Sequence, residues 1–528
     1  MTRTYFILAA IAMMVAAAVV MGCTSAADNQ QGLQNSTAGP SVPQGGSSTG
    51  TQSGPPSGMS FNGTAPNGQG PGGSGGNMTS GQSGMPGGSP PGGNSTMGGS
   101  APSGTPPSGG MGPDGSGGSG GGPGGSSDSS SYTFSGTYTL NGGTATQTGQ
   151  TYTSATQDTS GVYVTNGGVL TLINPTITTS GDSSSTDASS FYGLNGAVLV
   201  NNGSSITITG GTITSTGSGA NGVIPTGTGS SATLTDVTIT ASGGAAHGVM
   251  ATRGGSLTLN NVTITTSGGS GAPLATDRGS GTVTVNGGTM TSGSGNSPCI
   301  YSTGVITVTG AQLTSTGSEA AVIEGFNSIT VNDSSLSGVA GTTGGVMIYQ
   351  SMSGDAATGT GTFTMTGGSL STSGGPVFFV TNTNAVIRLS GVTVTSDSDT
   401  LIRAAGTTRW GTTGSNGGTV AFTADGETLS GNIVTDTISS VSMTLENASS
   451  LSGAINTAAL TLDSTSSWTV TGDSAVTGLS DSGGISGTSI TNIMGNGHTV
   501  TYDSSLAANS ALGGKTYSLN GGGTLTPA

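Results

Sequence analysis

The chain has 528 residues, of which 103 are glycine, only 5% are charged and 4% are aromatic, a composition that excludes a large mixed globular core. Seven basic against 22 acidic residues leave a formal charge of −15, which excludes the phosphate attraction on which nucleic-acid binding rests. The two cysteines, Cys23 and Cys299, make no disulfide framework.

At the start, Arg3 precedes an apolar run from Phe6 to Met21, short for a membrane span and of signal-peptide length. Residues 1–22 therefore read as a signal peptide. The run ends Val20-Met21-Gly22-Cys23, which resembles the lipobox of bacterial and archaeal lipoproteins, although Met21 departs from the usual small or β-branched residue. The resemblance implies lipidation of Cys23 and a membrane attachment through lipid alone, on the extracellular face of the cell envelope. The plainer alternative is a signal peptide cleaved near Ala26 or Ala27. Residues 23–130 are mostly Gly, Ser, Pro, Asn, Gln and Thr, with almost nothing to bury, and are expected to form a disordered spacer. Asn35, Asn62, Asn77 and Asn94 begin sequons there, of the kind chance supplies in a Ser/Thr-rich tract.

From residue 131 a cassette recurs: apolar-Thr-apolar, a short turn, then Thr/Ser-apolar-Thr/Ser. It stands as Ile206-Thr207-Ile208 with Thr212-Ile213-Thr214, and again as Leu257-Thr258-Leu259 with Thr263-Ile264-Thr265. Successive starts from 206 to 329 differ by 26, 25, 26, 23 and 23 residues, the period of a solenoid coil. A second cassette precedes most copies, as Val198-Leu199-Val200, Val223-Ile224-Pro225, Val249-Met250-Ala251, Cys299-Ile300-Tyr301, Val322-Ile323-Glu324, Val346-Met347-Ile348 and Val377-Phe378-Phe379. Three short strands per coil, parted by Gly, Asn and Asp turns, predict stacked parallel sheets. Period-2 alternation turns the flanking apolar residues inward and the middle Thr outward. Cys299 reads as a small core residue. Residues 131–430 form the repeats, and 431–528 form terminal coils and a cap that closes the exposed end of the sheets.

With this period and these turns, the chain resembles the right-handed parallel β-helix superfamily of pectate-lyase-like enzymes and adhesin-like surface proteins. The resemblance implies an all-β, single-stranded, right-handed solenoid, and identifies architecture more than function. Enzymes of this group need clustered carboxylates with a basic residue. Ala246-His247-Gly248 is similar to the Gly-His-Gly of polygalacturonases, but its Asp-Asp and Arg-Ile-Lys companions are missing. His247 is therefore expected as a solvated turn residue, and Asp277-Arg278 as a local ion pair at a turn. Asp397 with Asp399, or Asp182 with Asp187, offer oxygens but no full Ca²⁺ loop. No catalytic residue, metal or cofactor is expected.

Two surfaces remain. Outward threonines form a grid that resembles the ice-binding face of some β-solenoid antifreeze proteins, though Thr is also simply a good strand residue. Insertions near 350–361 and 405–418 are expected at one corner, gathering Tyr349, Arg403, Arg409 and Trp410 into an exposed aromatic and guanidinium patch for an acidic glycan. The expected function is that of a non-catalytic, adhesin-like protein contacting an extracellular glycan or another cell surface. A polysaccharide lyase or hydrolase and a structural envelope or ice-binding protein are the alternatives.

Overall fold

The computed structural model describes residues 131–481 and 483–528. The expected signal peptide, the expected lipidation site at Cys23 and the expected spacer lie outside them. The described chain is a parallel β-helix in which each rung contributes three strands, as in Val198–Val200, Ser205–Thr209 and Thr212–Ser215. The first face stacks 12 strands, from Ser135–Asn141 to Asn432–Thr435, which at the usual strand spacing is about 55 Å of rod.

Alternation within the strands explains the core. On the second face Leu170, Ile206, Ala232, Leu257, Val283 and Ile306 follow one another in unbroken register and all point inward, buried. Their Thr neighbours form the outward column from Thr171 to Thr364, where Arg388 interrupts it before Thr423. The corner between second and third faces takes a left-handed residue in each rung from Gly149 to Asn447. Asn174, Asp236, Asn261 and Asp333 take it with φ between +47° and +56°, and Gly210, Gly287 and Gly310 take it elsewhere. Asn and Asp tolerate this conformation better than other residues with a Cβ. Here they also ladder, with Asn261 Nδ2 donating to Asp236 Oδ1 at 2.7 Å.

The second cassette needs a correction. Register aligns Val198 with Val223, Val249, Leu274, Ile300, Ala321, Val346 and Phe378. The triplets beginning at Cys299 and Val377 thus start one residue early and the one at Val322 one residue late, and the strand Leu274–Asp277 was missed. A slip of one residue exchanges inside for outside. Cys299 nevertheless lies in the core, its thiol pushed up to about 12 by burial.

Beyond Thr435 the rungs narrow: Met443, Leu460 and Leu479 are in register but only 17 and 19 residues apart. The end is closed by a 3-10 turn at Ala507–Leu512 and by an antiparallel pairing of Tyr517–Asn520 with Thr524–Pro527. Among the described residues no helix is long and apolar enough to cross a membrane.

Candidate functional site

The outer side of the first face is apolar as well. Leu199, Ile224, Met250, Val322, Met347 and Phe379 point away from the core and are still at most 2% exposed, because segments of the chain lie over them. Near the N-terminal end the cover is α1, Thr186–Tyr192, capped by Ser185 Oγ accepting from Ala188 N at 3.1 Å and ended by Gly193 at φ +79°. A seven-residue helix with one capping serine gives no helical periodicity to read. Phe191 and Tyr192 of α1 carry the guanidiniums of Arg278 and Arg253, at 3.9 and 4.8 Å from the ring centroids.

Midway along the face, Asp277 and Glu324 stand in one outward column under the 351–355 segment. Glu324 accepts from Tyr301 Oη at 2.9 Å, from Tyr349 Oη at 3.0 Å and from the Ser351 hydroxyl. Asp355 accepts from Arg278 Nε and Nη2 at 3.1 and 2.6 Å. Burial pushes both Asp277 and Glu324 above the ordinary carboxylate range, and the neighbouring Asp355 charge adds to it. The local ion pair expected of Asp277-Arg278 is not found. Arg278 reaches 77 residues along the chain to Asp355, and Asp277 accepts the Arg278 backbone N–H at 2.7 Å. These groups fasten the covering segments to the sheet.

His247 is not solvated either. It is 5% exposed, its Nδ1 accepts from Ala272 N at 3.0 Å, and burial pushes its pKa down to about 4, so it is a neutral structural acceptor. Arg388 lies on the second face, paired with Asp425 at 2.6 Å and Glu446 at 3.0 Å, away from the patch. Asp397 and Asp399 take local partners, Gly374 N and the Thr400 hydroxyl.

The two insertions do meet. Asn382 donates through Nδ2 to Gln350 O at 2.7 Å and through its backbone to Asn416 O at 2.9 Å. Within 405–417, Asn416 Nδ2 donates to both Thr407 O and Trp410 O at 2.5 Å, and Thr407 Oγ1 accepts from Trp410 N at 3.2 Å. This fixes Trp410 against Tyr349, with ring centroids 5.1 Å apart. The exposed aromatic platform is thereby corrected: Tyr349 is 4% and Trp410 8% exposed, because the rings pack on the apolar outer column.

What reaches solvent is the pair of guanidiniums. Arg409 lies over Trp410 at 4.8 Å and Arg403, directly in register with Phe379, lies over that ring at 5.3 Å. Both arginines are exposed. They line a cavity of about 530 Å³ at the corner between third and first faces, together with Trp410, Phe379, Glu319 and Thr343. Sequence reasoning found Arg403, Arg409 and Trp410 in this pocket and missed Glu319, whose Ser-Glu-Ala surroundings carry no motif. Glu319 is 2% exposed and accepts from the hydroxyls of Ser318 and Thr343. A guanidinium over an aromatic ring combines a positive charge with N–H donors at its edge, chemistry suited to an oxyanion. No family model matches the chain, and no curated protein is found to be similar to it.

On the third face, six rungs carry Thr-x-Thr in register: 151/153, 176/178, 212/214, 238/240, 263/265 and 289/291. The first of these was not read from the sequence because Tyr152 replaces the aliphatic residue. No charged side chain interrupts the array.

Proposed function

We propose that this is an extracellular, adhesin-like protein of a bacterial or archaeal envelope, tethered by lipid on Cys23, that contacts an acidic glycan without catalysing a reaction. In this reading the chain is kin to the right-handed, pectate-lyase-like β-helix superfamily, and the corner pocket is its contact site. The observation that carries it is the pair of exposed guanidiniums mounted on Phe379 and Trp410. Tyr349 serves behind the pocket, holding Trp410 in place. A charge-assisted hydrogen bond is worth about 1.5–3 kcal/mol, so Arg403→Ala and Arg409→Ala should each weaken binding to acidic glycans by about ten- to a hundredfold. A glycan array followed by titration on the folded variants checks this. Binding of acidic glycans that survives the double substitution removes the assignment.

A second reading is favoured by the third face. Its six Thr-x-Thr rungs repeat about every 4.8 Å along the rod and about every 7 Å across it, offering hydroxyls and methyls in a fixed lattice that suits ordered water. Thermal hysteresis and ice shaping by the purified protein should then appear, and should vanish in Thr240→Lys/Thr263→Lys. Ordinary freezing behaviour of the unaltered protein disposes of this reading.

A further inference from the structure

We propose that the molecule carries a second binding site, at the corner between first and second faces, for an uncharged sugar unit held by its hydroxyls and by one apolar ring face. The site goes beyond the reading of the guanidinium pocket and shares no lining residue with it, so either can fail alone.

The cavity measures about 440 Å³, within the usual size of small-ligand sites, roughly 300–1,000 Å³. Both insertions build it, the first through Met352, Thr358 and Gly359 and the second through Ser415 and Gly417. Between them Asn382 turns the chain through the corner at φ +55°, and its bond to Gln350 O fixes the first insertion there. Just beyond, Asn384 stands in register with Thr419 of the next rung, and both are exposed. Every described residue lining the cavity is uncharged.

Two features suit this hollow to a sugar. The side chains of Asn384, Ser415 and Thr419 make no hydrogen bond to any described residue. One amide and two hydroxyls thus offer donors and acceptors together, as sugar hydroxyls require, since each of those both donates and accepts. The second feature is an apolar rim. Phe326 and Met352, at 68% and 63%, are the most exposed large apolar side chains described, and Ile438 is 40% exposed. Met352 and Ile438 line the cavity itself. Phe326 lies against its Gly359 wall, where a Cβ would fall 2.7 Å from that of Phe326 and 3.0 Å from the ring. Exposed apolar residues scattered singly are ordinary, whereas a group of them around one polar cavity marks a contact surface. A charged ligand would lose water here and gain no counter-charge. A pyranose matches both features, with hydroxyls at its edge for the amide and hydroxyls and a face of C–H groups for the Phe326 ring.

The test titrates the purified full chain with cellotriose, maltotriose and mannotriose, all uncharged, by calorimetry and saturation-transfer NMR. At least one should bind. Phe326→Ala should weaken that binding about tenfold, and Asn384→Ala about three- to tenfold. Asn384→Asp keeps the side-chain shape but replaces its donor with a charge, and should weaken binding as much. All three substitutions fall at exposed positions, and circular dichroism checks that each variant is folded. No binding by any of the trisaccharides overturns the site, as does binding that Phe326→Ala and Asn384→Ala both leave unchanged. A dimer in sedimentation that Phe326→Ala dissociates, without sugar binding, also overturns it and assigns the apolar rim to a second copy of the chain. Because the probes carry no charge, failure here leaves Arg403 and Arg409 as the acidic-glycan contact.

Discussion

Arg278→Met should lower the stability of the protein by about 3 kcal/mol, the low end of the cost of breaking a buried ion pair. Arg278 and Asp355 are each about a fifth exposed, at 22% and 19%, so solvent screens them only partly. Removing the guanidinium strands Asp355 beside Asp277 and Glu324, and takes away the cation that lies 3.9 Å from the Phe191 ring of α1. Two covering segments lose one shared fastening. Arg278→Met/Asp355→Asn should recover much of the loss, since no charge is then left unpaired. Denaturant unfolding of the three variants checks this, and equal losses in the single and double variants would contradict the pairing account.

The same cluster gives a pH dependence with a definite sign. Asp277 and Glu324 have folded pKa values above their ordinary ones, with burial the largest cause and the Asp355 charge next for Asp277. The folded state therefore binds more protons than the unfolded chain. The stability this represents is complete below the ordinary carboxylate range and is lost as pH rises through the raised folded values. Asp277→Asn should match the parent at pH 4 and exceed it increasingly towards pH 8. A gap that stays constant with pH would show that Asp277 does not titrate in this way.

Phe378→Ala should cost about 3–5 kcal/mol, the usual range for truncating a buried aromatic ring. Phe378 is fully buried and points inward from the first face. It meets Phe363 at 5.9 Å and Phe422 at 5.6 Å, both edge-on. Phe363 belongs to the preceding rung and Phe422 to the following one, since Ile387 separates them in register. One ring thus ties three rungs, and its loss leaves a cavity that the stacked strands cannot close without breaking their ladder. Phe378→Leu should recover most of the loss. The urea midpoint of each variant, followed by circular dichroism, decides it; a loss below about 1 kcal/mol would mean that the site collapses.

The rungs were legible because two signals agreed: strict alternation on the second and third faces, and an Asn, Asp or Gly at each corner. The first face was harder to read. In Val223-Ile224-Pro225 or Val346-Met347-Ile348 every position is apolar, so alternation supplies no phase, and three copies were set one residue out. That uniformity was itself a sign of a sheet buried on both sides, and with it the covering segments were foreseeable in kind. Which segments cover was not. Arg278 meets Asp355 across 77 residues, and Trp410 packs on Tyr349 from a different insertion. Such pairings depend on how many rungs separate two insertions, a count that a one-residue error in phase does not disturb. For this reason Arg403, Arg409 and Trp410 were grouped at one cavity, as found, although the expected exposure of Trp410 and Tyr349 was not.

The ladder has a mechanical consequence. Every parallel pairing joins one rung to the next, as between Leu257 and Val283, 26 residues apart, so these hydrogen bonds lie along the stacking direction. Tension on a chain end loads the outermost rung alone, and that rung must peel away before the next one feels the pull. For a rung of the Leu257–Val283 length each such event releases about 90 Å of extended chain, and less for the narrower rungs beyond Thr435. Under load the described region behaves as a zipper that lengthens in steps, dissipating work one rung at a time while the inner rungs keep their shape.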